Sequence, residues 1–292
     1  MRANIAFSAQ HILLPFRPVL AFLVANIFQK PMNGLSVKGS ILLTGNYKMR
    51  IIKNIVGRVF ALWAILTFVA LFLVIFIPSM LCWLIPEPAG QRLFIGTARI
   101  WMMIWLPLTG CRYRIKGKAY FKKGTTYIVA FNHNSMMDIP LSAAFVPGAN
   151  KTIAKSSFTK VPLFGLYYIK GAVLVNRKSE QSRRESFEKM KRVLQKGIHM
   201  CIYPEGTRNR TADPLKKFHD GAFRLSVDTG AAIIPTIILN SKKIVPINKT
   251  FYFWPGKIEM HFLEPVSPAS MTTGQLKEKV FAIMKEYYLL NS

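Results

Sequence analysis

The chain has 292 residues, enough for one large domain or two modest ones with a buried core. Its 40 lysine and arginine residues outnumber 13 acidic residues and give a formal charge of +27, which favours anionic partners: nucleic acid, lipid headgroups or phosphorylated substrates. The three cysteines are widely spaced, without a CxxC pair or a histidine cluster nearby. We therefore expect no disulfide framework and no zinc site, and a reducing cytoplasmic setting.

Residues 1–48 differ from the rest of the chain and are treated as an extension. Their apolar segment HILLPFRPVLAFLVANIF is interrupted by Arg17 and two prolines and lacks a small-residue cleavage site, so it does not predict a signal peptide. Met49 begins a cleaner pattern, basic and then apolar. Both Met1 and Met49 therefore stay open as the start of the protein.

The longest apolar run covers residues 59–85, which exceeds the roughly 20 residues that cross a bilayer as a helix. The alternative for such a run is a buried core helix. Pro78 predicts a kink or break that leaves Val59 to Ile77 as the main helix. A second stretch, IWMMIWLPLT at 100–109, is too short to span and favours an interfacial or re-entrant segment.

Four basic residues precede the long run and predict a cytoplasmic N-terminal side: Lys48, Arg50, Lys53 and Arg58. A single span would then place the basic remainder of the chain outside the cell. We therefore expect a helical hairpin, broken at Pro78 or completed by residues 100–109, that returns the chain to the cytoplasmic face. Residues 49–110 are accordingly predicted to attach the protein to the cell (inner) membrane.

From about residue 113 the chain alternates between strand and helix patterns. Four apolar runs predict strands: TYIVAF (126–131), GAVLVN (171–176), IHMCIYP (198–204) and AAIIPTIIL (231–239). Between these runs, helices are predicted from about Met136 and over SEQSRRESFEKMKRVLQKG. This order predicts an α/β fold with a mostly parallel central sheet flanked by helices. Functional sites in such sheets form at the carboxyl ends of the strands. A final amphipathic helix is expected in QLKEKVFAIMKEYY.

FNHNSMMDIP follows the first of these strands and contains a candidate catalytic pair. A histidine is the natural general base near neutral pH, and a carboxylate can orient its ring. A turn between His133 and Asp138 would bring the two side chains together. Chance also supplies such a pair, as a loop histidine and an aspartate that caps a helix, so the motif depends on its context.

YPEGTRNR at 203–210 closes another strand and predicts an anion-binding turn. Gly206 would let backbone N–H groups approach an anion, Thr207 adds a hydroxyl, and Arg208 offers a planar clamp for phosphate. A surface turn with an ion pair between Glu205 and Arg208 is the alternative. Two further residues are weaker candidates for the same place, Arg177 at the end of VNR and Lys155 in IAKSSF.

Taken together and in order, these segments resemble the 1-acyl-glycerol-3-phosphate acyltransferase family of bacterial type. The resemblance covers roughly residues 113–265 and rests on five blocks: NHNSMMD (132–138), IAKSSFTKVPLFG (153–165), GAVLVNR (171–177), YPEGTR (203–208) and IIPT (233–236). It implies that residues 111–292 form a catalytic domain of the glycerolipid acyltransferase fold. The chain departs from the family pattern after YPEGTR, where His219 and Asp220 replace a basic pair, and at Asn209.

The resemblance also implies roles for individual residues. His133 would remove the proton of the acceptor hydroxyl and Asp138 would orient it, while the phosphate of the acceptor would bind Arg177, Arg208, Glu205, Gly206 and Thr207. Support is expected from Asn132, Lys155 and Pro235. No metal or cofactor is expected; the co-substrate is acyl-CoA or an acyl carrier protein, and the other partners are lysophosphatidic acid and anionic membrane lipids.

Two other readings stay open. The same fold could acylate a different acceptor, such as glycerol 3-phosphate, another lysophospholipid or a lyso-aminolipid. A non-catalytic basic protein that binds anionic membranes or nucleic acid would account for the charge, but it gives no reason for His, Asp, Glu and Arg to gather at strand ends. The chain carries no nucleic-acid motif of the RRM or zinc-finger kind, so no nucleic-acid partner is expected.

Overall fold

The computed structural model describes residues 38–176 and 178–292, with side chains from residue 49 onward. Residues Ile52–Ser292 form one compact unit. Most of the predicted extension and the whole of Arg177 lie outside the described residues.

The described chain begins with two helices joined by a short connection. Helix α1 covers Lys38–Leu81, a 3₁₀ turn covers Cys82–Leu84, and helix α2 covers Ala89–Leu108. One helix, over Met49–Leu84, is long and apolar enough to cross a membrane among the described residues.

Of the kink or break predicted at Pro78, the break is wrong, because α1 continues through this residue to Leu81. Packing against α2 explains the continuity. The fully buried Ser79 hydroxyl lies 2.6 Å from the Ile75 carbonyl and 2.7 Å from Thr97 Oγ1 on α2, so the helix is held on both sides of the proline. Tertiary contacts of this kind offset the hydrogen bond that proline removes.

The short segment predicted at 100–109 is also wrong in extent, because it is the second half of the 20-residue helix α2. The polar residues in the first half of α2 interrupt the apolar run, so the sequence did not indicate the full length of the helix. Arg92 is exposed, while the Arg99 guanidinium donates to the carbonyls of Ala144 and Val146. The helix therefore packs along its length, and Trp105 Nε1 donates to the Ala64 carbonyl of α1 at 2.9 Å.

The sheet has seven described strands in the order β1-β7-β6-β2-β5-β3-β4, and every neighbouring pair is parallel except β6 and β7. The strands are β1 (Arg112–Lys116), β2 (Ile128–Phe131), β3 (Asn150–Lys155), β4 (Ala172–Val175), β5 (His199–Ile202), β6 (Ile233–Leu239) and β7 (Lys257–Phe262). The predicted fold class is therefore confirmed. Strands β1, β3 and β7 were not predicted, since RYRIK, NKTIAK and KIEMHF alternate polar with apolar residues and lack a continuous apolar run.

Helices cover both faces of the sheet. They are α3 (Asp138–Phe145), α4 (Phe164–Gly171), α5 (Glu180–Gln195), α6 (Gly221–Thr229), α7 (Ser241–Ile244) and α8 (Thr273–Asn291). Alternate residues of β2 enter two different hydrophobic cores: Val129 and Phe131 face the core that contains α2 and α3, and Ile128 and Ala130 face the core that contains α5, α6 and α8. The carboxyl ends of β2 and β5 are neighbours, so the loops that follow them meet at one edge of the sheet.

Candidate active site

The loop after β2 brings His133 and Asp138 into contact. Asp138 is fully buried as the first residue of α3, and its Oδ2 lies 3.0 Å from His133 Nδ1. The same oxygen accepts the backbone N–H groups of Asn134 at 2.6 Å and Ser135 at 2.7 Å. A carboxylate held by two backbone donors has a fixed position, and it therefore fixes the orientation of the imidazole. His133 Nε2 has no hydrogen bond to any described residue, and 13% of the side chain is exposed, so this nitrogen is available to a substrate.

Glu205 joins this loop to the loop after β5. Its Oε1 accepts the backbone N–H of His133 at 2.8 Å, and its Oε2 accepts the backbone N–H of Lys216 at 3.1 Å. Burial raises the pKa of this carboxyl, against the opposing effect of the two N–H donors. Both oxygens accept backbone hydrogen bonds, so Glu205 shapes the site, and it forms no ion pair with any residue that the structure describes.

The turn predicted at YPEGTR is present. Gly206 has a φ of +70°, a conformation that favours glycine, and its N–H donates to the Tyr203 carbonyl at 2.9 Å. This N–H is therefore engaged within the turn. Thr207 is exposed, and its hydroxyl oxygen accepts a hydrogen bond from Lys216 Nζ at 2.7 Å.

Two cations flank the turn. Arg208 is half-buried, and its guanidinium makes no hydrogen bond or ion pair within the described part of the chain. The ammonium group of Lys216 contacts the same turn at the Thr207 hydroxyl. A second positive charge therefore lies at the residue that precedes Arg208 in the sequence. An arginine and a lysine without an acidic partner are suited to bind a phosphate.

Two contributors to the site were not predicted as such. The ring of Tyr203 packs against the ring of His133 with 4.5 Å between centroids, and its hydroxyl lies 2.7 Å from Ser142 Oγ on α3. Burial, reinforced by Asp138, raises the pKa of this phenol. Asn209, noted in the sequence only as a departure, is fully buried and donates its N–H to the His133 carbonyl at 2.7 Å. An aromatic residue at a strand end beside a polar motif is the signal that could have drawn attention to Tyr203.

Three further residues were predicted to support the site, and their described contacts involve other parts of the sheet. Asn132 is buried and bonds both the N–H and the carbonyl of Ile238, which joins β2 to β6. Pro235 is buried within β6, opposite Ala130. Lys155 is exposed at the end of β3.

The residues that depart from the family pattern do not form a second catalytic pair. His219 and Asp220 are both exposed, and Asp220 pairs with Lys277 at 2.7 Å. Among the described residues, no group of three or more His, Cys, Asp or Glu side chains is placed to hold a metal ion. The expectation that no metal or cofactor is needed stays a prediction.

The chain is similar in sequence and in fold to known acyltransferases. Residues 112–239 match the family model described as Acyltransferase. The chain is 29% identical over 211 residues to the 1-acyl-sn-glycerol-3-phosphate acyltransferase of Saccharomyces cerevisiae, a match that covers 70% of this chain and 68% of that protein. It is 30% identical over 162 residues to the protein of the same name from Borreliella burgdorferi, which covers 55% of this chain and 64% of that protein.

A solved structure has the same fold. It is the 1-acyl-sn-glycerophosphate (LPA) acyltransferase of Thermotoga maritima, with a TM-score of 0.68 and 22% identity over 82% of this chain and 97% of that chain. Residues 112–239 therefore resemble an acyltransferase domain in sequence, and the structure has the fold of a known acyltransferase. The curated relatives reported above are named 1-acyl-sn-glycerol-3-phosphate acyltransferases; they come from a yeast and a bacterium, so a bacterial type stays a prediction.

Proposed function

We propose that this acyltransferase transfers a fatty acyl group from a thioester to the sn-2 hydroxyl of 1-acyl-glycerol-3-phosphate and so forms phosphatidic acid. The observation that carries the proposal is a carboxylate-held histidine with a free Nε2 in a site that also contains Arg208 and Lys216. The names of the relatives supply the acceptor, and acylation of its free hydroxyl gives the proposed product. The donor is proposed to be acyl-CoA or an acyl carrier protein.

The chemistry needs only a base, an orienting group and a bound acceptor. His133 Nε2 takes the proton of the acceptor hydroxyl while Asp138 stabilises the imidazolium that forms. The hydroxyl oxygen attacks the thioester carbonyl carbon, the carbon–sulfur bond breaks, and the thiolate leaves with the proton from His133. The transfer is direct and forms no acyl-enzyme, which fits a motif without a GxSxG elbow.

Binding of the acceptor is assigned to the cationic side of the site. Arg208 would clamp the phosphate, with Lys216 and the Thr207 hydroxyl beside it. Arg177, predicted for the same role, lies outside the described residues. Glu205 stabilises this arrangement, because its hydrogen bonds join the His133 loop to the segment that carries Lys216.

The proposed location is the cytoplasmic face of the cell (inner) membrane. Many large apolar side chains of α1 are exposed, among them Leu66, Val74 and Ile77, and so are Ile100, Met103 and Ile104 of α2. An apolar surface of this size favours contact with lipid. Anionic lipids are the proposed membrane partners because of the net positive charge.

The decisive experiment offers the purified protein one acyl thioester and a panel of acceptors: 1-acyl-glycerol-3-phosphate, glycerol 3-phosphate, a neutral lysophospholipid and a lyso-aminolipid. We expect turnover to be fastest with 1-acyl-glycerol-3-phosphate. His133→Ala should lose about 10²- to 10⁴-fold in kcat, the usual contribution of a general base.

Circular dichroism and thermal unfolding of His133→Ala provide the control, because the variant must stay folded for the loss to be chemical. Full activity in a folded His133→Ala protein would rule out the proposed base. Faster turnover of another acceptor would keep the acyltransferase and replace the proposed substrate.

A further inference from the structure

A second positively charged pocket lies where the connection between α1 and α2 meets the amino ends of the sheet strands. We call it the lysine pocket and define it by Trp83, Glu87, Lys151, Lys170 and Lys196. Its volume is about 450 Å³, and Ile85, Pro86 and Ile169 complete its lining.

The lysine pocket is separate from the candidate active site. Lys151 lies at the amino end of β3, Lys170 comes just before β4, and Lys196 comes just before β5. His133 instead follows the carboxyl end of β2, and β2, β5, β3 and β4 all run in parallel. The two sites therefore occupy opposite edges of the sheet, separated by the length of a strand of four or more residues, roughly 13 Å.

The charges in the lysine pocket do not balance. Glu87 Oε1 pairs with Lys151 Nζ at 2.5 Å and Glu87 Oε2 pairs with Lys196 Nζ at 3.1 Å, so both oxygens of its carboxylate are engaged. Lys170 is 8% exposed, and its ammonium makes no hydrogen bond or ion pair with any residue that the structure describes. The ammonium lies over the ring of Trp83, with Nζ 5.4 Å from the ring centroid.

A buried ammonium without an anion is energetically unfavourable. Burial lowers the pKa of Lys170, and the neighbouring Lys151 and Lys196 add to this effect against the opposing Glu87. An anion inside the lysine pocket would relieve the imbalance. Ammonium groups that line one pocket suit a phosphate, which offers several acceptor oxygens.

We infer that the lysine pocket binds a phosphate group, presented by a lipid headgroup or by a free phosphate. The apolar rim formed by Trp83 and Ile85, with Leu84 exposed beside them, would accommodate the glycerol and the first carbons of a lipid. Tryptophan is common where an apolar layer meets a polar one. This second site does not depend on the acceptor proposed above.

Amine labelling of the protein in detergent micelles tests the inference residue by residue. A lysine-reactive reagent is added without ligand, with inorganic phosphate, with dihexanoyl phosphatidic acid, or with dihexanoyl glycerol, which has no phosphate. Mass spectrometry then gives the labelling rate of each lysine. Sodium chloride matches the ionic strength, because salt alone screens charges.

We expect phosphate-bearing ligands to slow the labelling of Lys170, Lys151 and Lys196 severalfold, while the exposed Lys189 on α5 is unaffected. Protection by phosphatidic acid at a much lower concentration than by inorganic phosphate would identify a lipid headgroup as the source. Equal protection by both would identify the free phosphate group. Unchanged labelling of Lys170 with every ligand would overturn the inference.

Two substitutions sharpen the test because they act in opposite directions. Lys170→Gln should weaken protection of Lys151 and Lys196 about tenfold, the effect of losing one charge-assisted hydrogen bond. Glu87→Gln should strengthen protection of Lys170, because it removes the competing carboxylate. Lys189→Gln is the control with the same change of charge. If Glu87→Gln folds and weakens protection, the inference is wrong; if Lys170→Gln does not fold, Lys151→Gln takes its place with the same expected loss.

Discussion

The two buried carboxylates of the site illustrate how single residues divide the work. Asp138 directs one oxygen to the His133 ring, so it acts on the proposed base itself. In the described part of the chain, the Glu205 carboxylate accepts two backbone N–H groups. One belongs to His133, 72 residues earlier in the sequence, and the other to Lys216, 11 residues later. A catalytic role is therefore proposed for the pair of His133 and Asp138, and a supporting one for Glu205.

Glu205 and Arg208 are expected to respond differently to neutral substitution. Glu205→Gln replaces one acceptor oxygen by a donor that faces a backbone N–H, so it should lower the free energy of unfolding by about 1–3 kcal/mol. Arg208→Gln leaves no buried partner unpaired, and it should raise KM for the phosphorylated acceptor about tenfold or more at nearly unchanged stability. Denaturant unfolding and steady-state kinetics on both variants check this contrast. A stable Glu205→Gln protein, or an Arg208→Gln protein with normal KM, would contradict it.

A histidine far from the site is expected to make stability depend on pH. Burial lowers the pKa of His199 from 6.5 to about 4, and its Nδ1 accepts the backbone N–H of Tyr127 at 3.0 Å. Between these two pKa values the unfolded chain binds the proton and the folded chain does not, so stability falls as the pH falls from 6.5 towards 4. The full effect is about 3 kcal/mol.

The variant His199→Asn keeps an acceptor for the Tyr127 N–H and removes the titration. Its free energy of unfolding should therefore change less than that of the parent protein between pH 7 and pH 4. Urea unfolding at several pH values measures the difference between the two proteins. This difference also cancels the contribution of His261, whose pKa is likewise lowered by burial. Parallel pH profiles would contradict the assignment to His199.

At the scale of elements, the joint between α1 and α2 depends on close contact at one glycine. A Cβ at Gly90 would lie 2.2 Å from the Ile85 carbonyl oxygen and 2.7 Å from that of Cys82, both of them backbone atoms of the connection. The start of α2 therefore lies directly on the turn that ends α1. Aromatic packing continues the contact, since the ring centroids of Trp101 and Phe68 are 4.3 Å apart.

Gly90→Ala is expected to destabilise the helical pair by about 1–3 kcal/mol, because neither carbonyl can move without shifting the connection. Gly96→Ala in the same helix is the matched control. Nothing lies within 4 Å of its added Cβ, so it should be neutral or stabilising by up to about 1 kcal/mol. Thermal unfolding of both variants in the same detergent checks the prediction, and equal effects would show that the contact at Gly90 is unimportant.

At the scale of the whole molecule, the proposed location requires the sheet and its site to lie on the cytoplasmic side. A cysteine introduced at the exposed Lys279 of α8 reports on this, because the three native cysteines are buried. We expect Lys279→Cys to stay unlabelled by a membrane-impermeant maleimide in intact cells and to react after permeabilisation. Labelling in intact cells would place residue 279 outside and exclude the cytoplasmic arrangement.

The sequence by itself determined the α/β class, four of the strands and the residues at their carboxyl ends. These features depend on short apolar runs, turn residues and helical periodicity, which are local properties of the chain. The contact between His133 and Asp138 followed from the same local reasoning, because only five positions separate the two residues.

Only the tertiary structure decided which distant segments meet. The pairing of β2 with β5 brings Glu205 to the His133 loop. No local pattern could have shown that the Glu205 carboxylate accepts backbone N–H groups and that Arg208 has no acidic partner among the described residues. Packing of Ser79 against Thr97 carried α1 through Pro78, where propensity predicted a break. The lysine pocket contains Glu87, Lys151, Lys170 and Lys196, which come from four separate segments of the chain. The order of the strands decides which of these charges are neighbours, and burial decides the free-energy cost of leaving a charge without a partner.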